Sequence, residues 1–468
     1  MRDHNKNRLA ALDDRLCDGA IGALSRPLGK SAAGLLYLLA AALGAACARL
    51  LGGAAMAESL LCGGVFTLWC AALFARARVR VMDALFGGAA LVALFAARMA
   101  ALPIVSPDCQ DYLIPWARTM AGMGFSEVMT GRVGDYTVLY QYFVFLLSRL
   151  PLDPVVCYKL LSIGFEALLA YSCASLTCLC CGKEKGSLRF CAVFFAVLAA
   201  PTVFLNGAVW SQCDAVYASL ALLGVLLILR ERPHAGCAAL AVSLCLKLQA
   251  VFILPVCAML LLARRLSLRH ALTALLTMGA VSLPALLAGK GVKGVLGVYL
   301  YQMGEYKQLV LDAPTMYQFL PAGGLIPDGT ASMIGIMLAA GAMCAALVLG
   351  LRRGGKAATP VVDVCFALCI CIPFLLPHMH ERYFFLADIL SIAYAAVHPR
   401  RAYAPAVVLL CSLNGYCAYL FSAPLMGWTV PALAMMALCA ATLALLGRDA
   451  VKGEVSSAFA VDAEGAAK

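Results

Sequence analysis

From residue 31 onward the chain keeps returning to apolar runs of helix length, and this recurrence constrains its fold more than any other feature. The runs lie near residues 31–51, 55–75, 82–102, 155–178, 189–205, 214–229, 235–247, 250–263, 270–288, 331–350, 360–376, 383–397, 402–420 and 426–446. About 20 helical residues cross the roughly 30 Å of bilayer hydrocarbon, so about fourteen transmembrane helices are expected. A backbone in lipid must satisfy its own polar groups, which leaves helices or closed barrels, and runs this long and continuous are helical. The expected class is therefore an all-α polytopic membrane protein. Composition agrees: 63% of the 468 residues are hydrophobic and only 13% charged, about half the charged share of a soluble domain. A water-soluble enzyme is excluded. A small disulfide scaffold is excluded too, because the 22 cysteines fall mostly inside apolar runs.

The net charge of +11 would point to nucleic acid in a soluble chain. Here the basic residues form short clusters between apolar runs and act as orientation signals. The apolar segment 136–150 decides how they distribute. If it does not cross, Arg76/Arg78/Arg80, Lys183/Lys185/Arg189, Arg230/Arg232, Arg264/Arg265/Arg269, Arg352/Arg353/Lys356 and Arg400/Arg401 all fall on the side of the N-terminus. The positive-inside rule then places both termini in the cytoplasm of a multi-pass cell-membrane protein. Residues 1–30 read as a cytoplasmic amphipathic segment, 31–447 as one integral membrane domain, and 448–468 as a short cytoplasmic disordered tail. Two long extracytoplasmic loops are expected, 103–154 and 289–330.

Polar residues near the ends of membrane helices carry the functional information, because lipid penalises them unless they pair, meet water or act. Four strings stand out. In SPDCQDYLIPW, Asp108 and Asp111 are three apart, which on an α-helix puts both carboxylates on one face; alternatively, Ser106 and Asp108 are simply good helix caps. In NGAVWSQCD, Trp210, Gln212 and Asp214 read as a polar pocket under an indole, or as a belt residue and a cap. In CLKLQAVF, Lys247 and Gln249 interrupt an apolar stretch and mark a hairpin near the outer surface. A lysine there can hold a lipid phosphate or snorkel. In PHMHER, His378, His380, Glu381 and Arg382 suit phosphate better than zinc, since the spacing is not HExxH. All four strings fall on the outer face under a topology chosen without them. Independent caps would scatter over both faces.

An extracytoplasmic site has no supply of nucleotide sugars or ATP, and no P-loop or GxGxxG turn is present. An activated donor there has to arrive in the membrane. Carboxylates would deprotonate an acceptor hydroxyl while cationic side chains hold the departing phosphate. The strings SPDCQDYLIPW, DYTVLYQYFVFLLSRLP, VWSQCDAVY, LKLQAVFILP, YLYQMGEYKQLVLDAPTMYQFLP and HMHERYFFLADILS together resemble the bacterial relatives of the GPI-anchor mannosyltransferases, within the C-type (GT-C) glycosyltransferase superfamily. The resemblance runs from about Ser106 to Ser391. It implies a GT-C-like fold with a long first catalytic loop, and an inverting transfer of a mannose-like hexose from a polyprenyl-phosphate donor to a glycan or lipid-linked acceptor. It further implies Asp108 as the loop aspartate and general base, with Asp111 second. Trp210, Gln212, Asp214, Lys247, Gln249, His378, His380, Glu381 and Arg382 would then surround substrate and donor phosphate. No cofactor is required, although a divalent metal between Asp108, Asp111 and Asp214 is conceivable. The competing expectation is a transporter or flippase of a lipid-linked sugar, which would place polar residues near the midplane or on both faces. Membrane lipid is the expected surrounding partner, and nucleic acid is not expected.

Overall fold

The computed structural model describes residues 81–131, 133–183, 187–304, 306–320 and 326–465, with the isolated residues 42 and 46. The amphipathic segment 1–30, the expected run 55–75 and all but residues 42 and 46 of the run 31–51 lie outside the described residues. The remaining runs are all helical. α1 is Val81–Ala101. A connection follows that holds a π-helical turn Cys109–Leu113, α2 (Ile114–Gly122), α3 (Phe125–Thr130) and α4 (Val138–Leu147). α5 (Pro154–Cys180) is the long central helix, and α6 (Leu188–Ala199) breaks at Pro201 into the short α7 (Pro201–Phe204) and a π turn, Leu205–Val209. Then come α8 (Asp214–Leu229), α9 (Pro233–Leu246), a 3-10 turn Leu248–Phe252, α10 (Val256–Leu262), α11 (Leu268–Leu287) and α12 (Val292–Gly304). The chain finishes with α13 (Asp328–Arg352), α14 (Ala358–Leu375), α15 (Phe385–Val397), α16 (Tyr403–Phe421) and α17 (Thr429–Gly465).

The described helices do not confirm the expected number of about fourteen crossings. Among the described residues six are long and apolar enough to cross, or seven if α6 and the segment after Pro201, bent by 51°, count as one span. Apart from α1, the others run shorter: α4, at ten residues, is about 15 Å long, half the hydrocarbon thickness. The last helix continues to Gly465, past residue 447, and Asp449 within it is held by Arg401 at 2.5 Å.

Local chemistry explains where the helices start and stop. Asp153 accepts from the Val155 N–H at 2.8 Å and Pro154 follows it, so α5 begins with a cap and a preset φ. Ser187 caps α6 through the Phe190 N–H. Where α8 crosses α9, a Cβ on Gly224 would lie 2.9 Å from the Gly236 carbonyl; glycine on both helices permits this backbone approach. α5 and α14 are largely buried, whereas α11 and α13 present most of their apolar surface outward, as helices facing lipid would.

Buried charges tie the core to the first loop. Arg98 on α1 pairs with Glu166 on α5 at 2.7 Å and donates to the Leu198 carbonyl at 2.8 Å. Lys159 on α5 donates to the carbonyls of Ala101, Leu102 and Ile104 at 2.7, 3.1 and 2.6 Å. Those carbonyls lie at and just past the end of α1, so the ammonium fixes the path the chain takes toward Asp108.

The two ends of the bundle differ in chemistry. Arg265, after α10, pairs with Glu231 at 2.7 Å and donates to the Leu229 carbonyl, so the α9–α10 excursion returns to the level it left, as a hairpin does. Arg189 and Arg230 are in electrostatic reach of Cys178. Thr359 donates to the Cys180 carbonyl, Arg353 and His398 converge on Asp363, and Arg401 on Asp449. The basic residues therefore gather at the Leu229 end of α8, about 24 Å from the Asp214 end, where the four polar strings meet.

Candidate active site

The site is assembled around Asp108. The Ser106 hydroxyl accepts from the Cys109 N–H at 3.2 Å and donates to the Trp210 carbonyl at 3.0 Å. Ser106 thus supplies the local cap, and Asp108, which makes no capping bond, turns across the bundle. Its Oδ2 accepts from Trp210 Nε1 and Gln212 Nε2, both at 2.9 Å, and its Oδ1 accepts from the Tyr419 hydroxyl. Arg382 Nη1 lies 3.6 Å from Oδ2. Three donors and one guanidinium nearly fill the roughly four lone-pair positions of a carboxylate, so its orientation is fixed.

Trp210 is fully buried, not a belt residue. Its ring stacks on Tyr419 with centroids 4.5 Å apart, meets Tyr416 edge-on, and carries the Arg382 guanidinium 5.1 Å from its centroid. Burial works against the Arg382 charge, but Glu381, Tyr136, Asp214 and Asp108 outweigh it and raise the guanidinium well above its ordinary value. It is a permanent cation.

Beneath this layer the Asp214 carboxylate is held by Lys247 at 2.5 Å and by Asn206 Nδ2 at 2.7 Å, and Asn206 also donates to Tyr416 at 3.1 Å. Lys247 sits in an extended backbone position between α9 and the 3-10 turn. That break in the apolar helix brings its ammonium to Asp214. Tyr136 donates to Gln212 Oε1 at 3.3 Å; burial pushes its hydroxyl well above the ordinary range, so it stays a donor.

A two-residue parallel pairing completes the cluster. β1 (Val310–Leu311) bonds to β2 (Met379–His380), and the His378 N–H donates to the Leu309 carbonyl at 2.8 Å. The loop after α12 is thereby laid against the PHMHER string. His380 Nδ1 is 3.4 Å from Glu381 and its ring lies edge-on to Tyr306 at 4.1 Å. Glu381 also meets Arg382 at 3.3 Å. His380 Nε2 and Arg382 Nε are buried without a partner.

Of the residues singled out from sequence, the structure brings together Asp108, Trp210, Gln212, Asp214, Lys247, His380, Glu381 and Arg382. Three stand apart. Asp111 is exposed, because the helix around it is π-wound, with bonds closing from i to i+5. Residues three apart then lose the common face that an α-helix would give them. His378 turns its Nδ1 to the Gln308 carbonyl at 2.7 Å, and Gln249 bonds to Tyr383. Asp108, Asp111 and Asp214 do not converge, and among the described residues no group of three His, Cys, Asp or Glu could hold a metal ion. A scan against protein-family models finds no match, and a search of the curated proteins finds none either.

Sequence reasoning missed Tyr419, Tyr416, Tyr136 and Tyr306. The one available signal was NGYCAYL in α16, where Asn414, Tyr416 and Tyr419 interrupt an apolar run. Within the cluster the side chain of Asp108 is 18% exposed, against 1% for Asp214 and 2% for Glu381. It is the most accessible of the three carboxylates, and Arg382 is partly exposed beside it, at 15%.

Proposed function

We propose that the protein is an inverting glycosyltransferase that moves a mannose-like hexose from a polyprenyl-phosphate donor to a glycan or lipid-linked acceptor on the extracytoplasmic side of the membrane. The observation that carries this reading is the pairing of one accessible, rigidly oriented carboxylate, Asp108, with a permanently charged guanidinium 3.6 Å away. Such a pair suits both demands of the reaction. The Asp108 carboxylate takes the acceptor hydroxyl proton as that oxygen attacks the anomeric carbon from the face opposite the donor phosphate. The bond from the anomeric carbon to the phosphate oxygen breaks, its electrons leave on the polyprenyl phosphate, and the configuration inverts. Arg382, with its Nε unpartnered, offsets the charge on the leaving phosphate, and His380 Nε2 offers a second contact. Lys247, spent on Asp214, supports the wall behind Gln212.

General-base catalysis contributes about 10²–10⁴ in rate. Asp108→Asn should therefore lower hexose transfer by about that factor in vesicles given a labelled lipid-linked donor, and the release of free polyprenyl phosphate should fall in step. Full activity of the Asn variant would rule Asp108 out as the base. Transport without release of polyprenyl phosphate would rule out transfer.

A further inference from the structure

Beside the cluster lies a cavity of about 360 Å³ walled by Thr130, Gly131, Gly134, Asp135 and Tyr136, the start of α4 and the start of α12. That volume is at the lower end of small-molecule sites, which run about 300–1,000 Å³. We infer that it binds the phosphorylated sugar headgroup of the acceptor, an inference that rests on the transfer reading and adds the substrate class to it.

The walls are clamped. Ser126 donates to the Ala288 carbonyl at 2.6 Å, Lys290 to Met129 at 3.0 Å, and Gln302 to Asp135 at 2.7 Å. The cavity therefore exists between two fastened segments. Its chemistry has two parts. Lys290 and Lys293 stand at the start of α12, a 13-residue helix whose N-terminal dipole favours an anion. Gln141 on α4 also lines the cavity and is 96% buried, with 4% exposure. Its Nε2 donates to the Val133 carbonyl at 3.1 Å while its Oε1 has no partner. A buried acceptor without a donor is left with its desolvation penalty uncompensated, and a sugar hydroxyl would satisfy it. Cations for phosphate and an acceptor for hydroxyl together describe a phosphorylated sugar. Added Cβ atoms at Gly291 and Gly297 would meet nothing within 4 Å, so missing side chains are what leave this space open. Tyr136 joins the cavity to the site: it lines the one and donates to Gln212, which holds Asp108, in the other. On α12, Val292, Leu296 and Leu300 are exposed at four-residue spacing, an apolar stripe along which a lipid tail could lie.

The test is direct binding to the full chain in phosphatidylcholine nanodiscs, with hexose 1-phosphate as probe and inorganic phosphate and free hexose as separate arms. Hexose phosphate should bind saturably and at least tenfold tighter than either part. Gly297→Leu, which fills the space from a helical position, and the double change Lys290→Gln with Lys293→Gln should each weaken it at least tenfold while melting near the wild-type temperature. Asp108→Asn and Arg382→Gln should bind as the wild type does. Because the donor carries a hexose phosphate too, binding that survives both cavity variants and is lost in Arg382→Gln belongs to the donor site and overturns the inference. A short-chain lipid-linked phosphohexose that displaces the probe more tightly than the soluble sugar phosphate identifies a lipid-borne acceptor, and equal displacement a soluble one. Absence of saturable binding to the wild type, or undiminished binding to both cavity variants, overturns the inference. If binding behaves as expected but Asp108→Asn still transfers hexose, the catalytic reading fails and the cavity assignment stands.

Discussion

At the scale of single residues, the decisive fact about Asp108 is what it does not do. Ser106 takes the capping role, which frees the carboxylate to face three donors drawn from two distant segments, around residues 210 and 419. The sequence string could be read as a cap or as a catalytic acid, and the structure divides those roles between neighbours. Tyr419 was illegible beforehand because a tyrosine in an apolar run reads as core, and only the packing of α16 against Trp210 shows where its hydroxyl goes. Asp312 offers a test by pH. It sits in a left-handed backbone conformation, φ 48°, and partial desolvation with the Glu381 carboxylate raises its carboxyl above the ordinary range, against the opposing pull of His380. A carboxyl raised by folding is at no disadvantage below its unfolded value, and it loses stability as pH climbs through that value toward the raised one. Asn tolerates the left-handed conformation and cannot ionise. Asp312→Asn should therefore melt higher than the wild type at pH 7 in detergent, with the difference closing by about pH 4, near the ordinary aspartate value. An equal difference at both pH values would remove the ionisation argument.

Elements position these residues through breaks in regularity rather than through the helices themselves. The π turn swings Asp111 away from Asp108, Pro201 bends the chain before the Trp210 string, and the extended Lys247 halts α9 beside Asp214. Apolar periodicity located most of the long helices from α1 onward to within a few residues, because burial and lipid exposure both demand apolar side chains; it left α12 inside an expected loop and ended α17 near residue 446, short of Gly465. It could not show the π winding, which leaves no mark on hydropathy, nor the β1–β2 pairing, which joins segments nearly 70 residues apart by backbone bonds alone. α16 is fitted against that pairing: a Cβ on Gly415 would lie 2.5 Å from the Asp312 carbonyl and 2.8 Å from Glu381 Cβ. Both obstacles are held in place, so Gly415→Ala should cost about 1–3 kcal/mol by overpacking, despite the better helix propensity of alanine. Because the displaced groups flank Arg382, transfer should fall more than melting temperature does. Thermal melts and donor turnover on the same preparation measure both, and a variant as stable and active as the wild type would mean that the loops yield freely.

For the whole molecule, the separation of chemistry along the bundle is the feature that joins fold to function. Arg189, Arg230, Arg265, Arg353 and Arg401 gather at one end, the Asp108 cluster and the lysine-flanked cavity at the other. Basic residues flanking membrane helices stay on the cytoplasmic side, which supports the proposal that the arginine-rich end faces the cytoplasm and the site faces out. The same division argues against alternating access, which needs a site that both sides reach in turn. The expected arrangement can be measured without activity. An epitope inserted beside exposed Asp111 should react with antibody on intact spheroplasts, while a tag after Lys468 should react only after permeabilisation. A short helix such as α4 does not change this parity, since it is too short to cross. Were both tags to react from the same side, the number of crossings between residues 111 and 468 would be even. The outward site would then lose its topological basis, and a donor made in the cytoplasm would become the chemistry to consider.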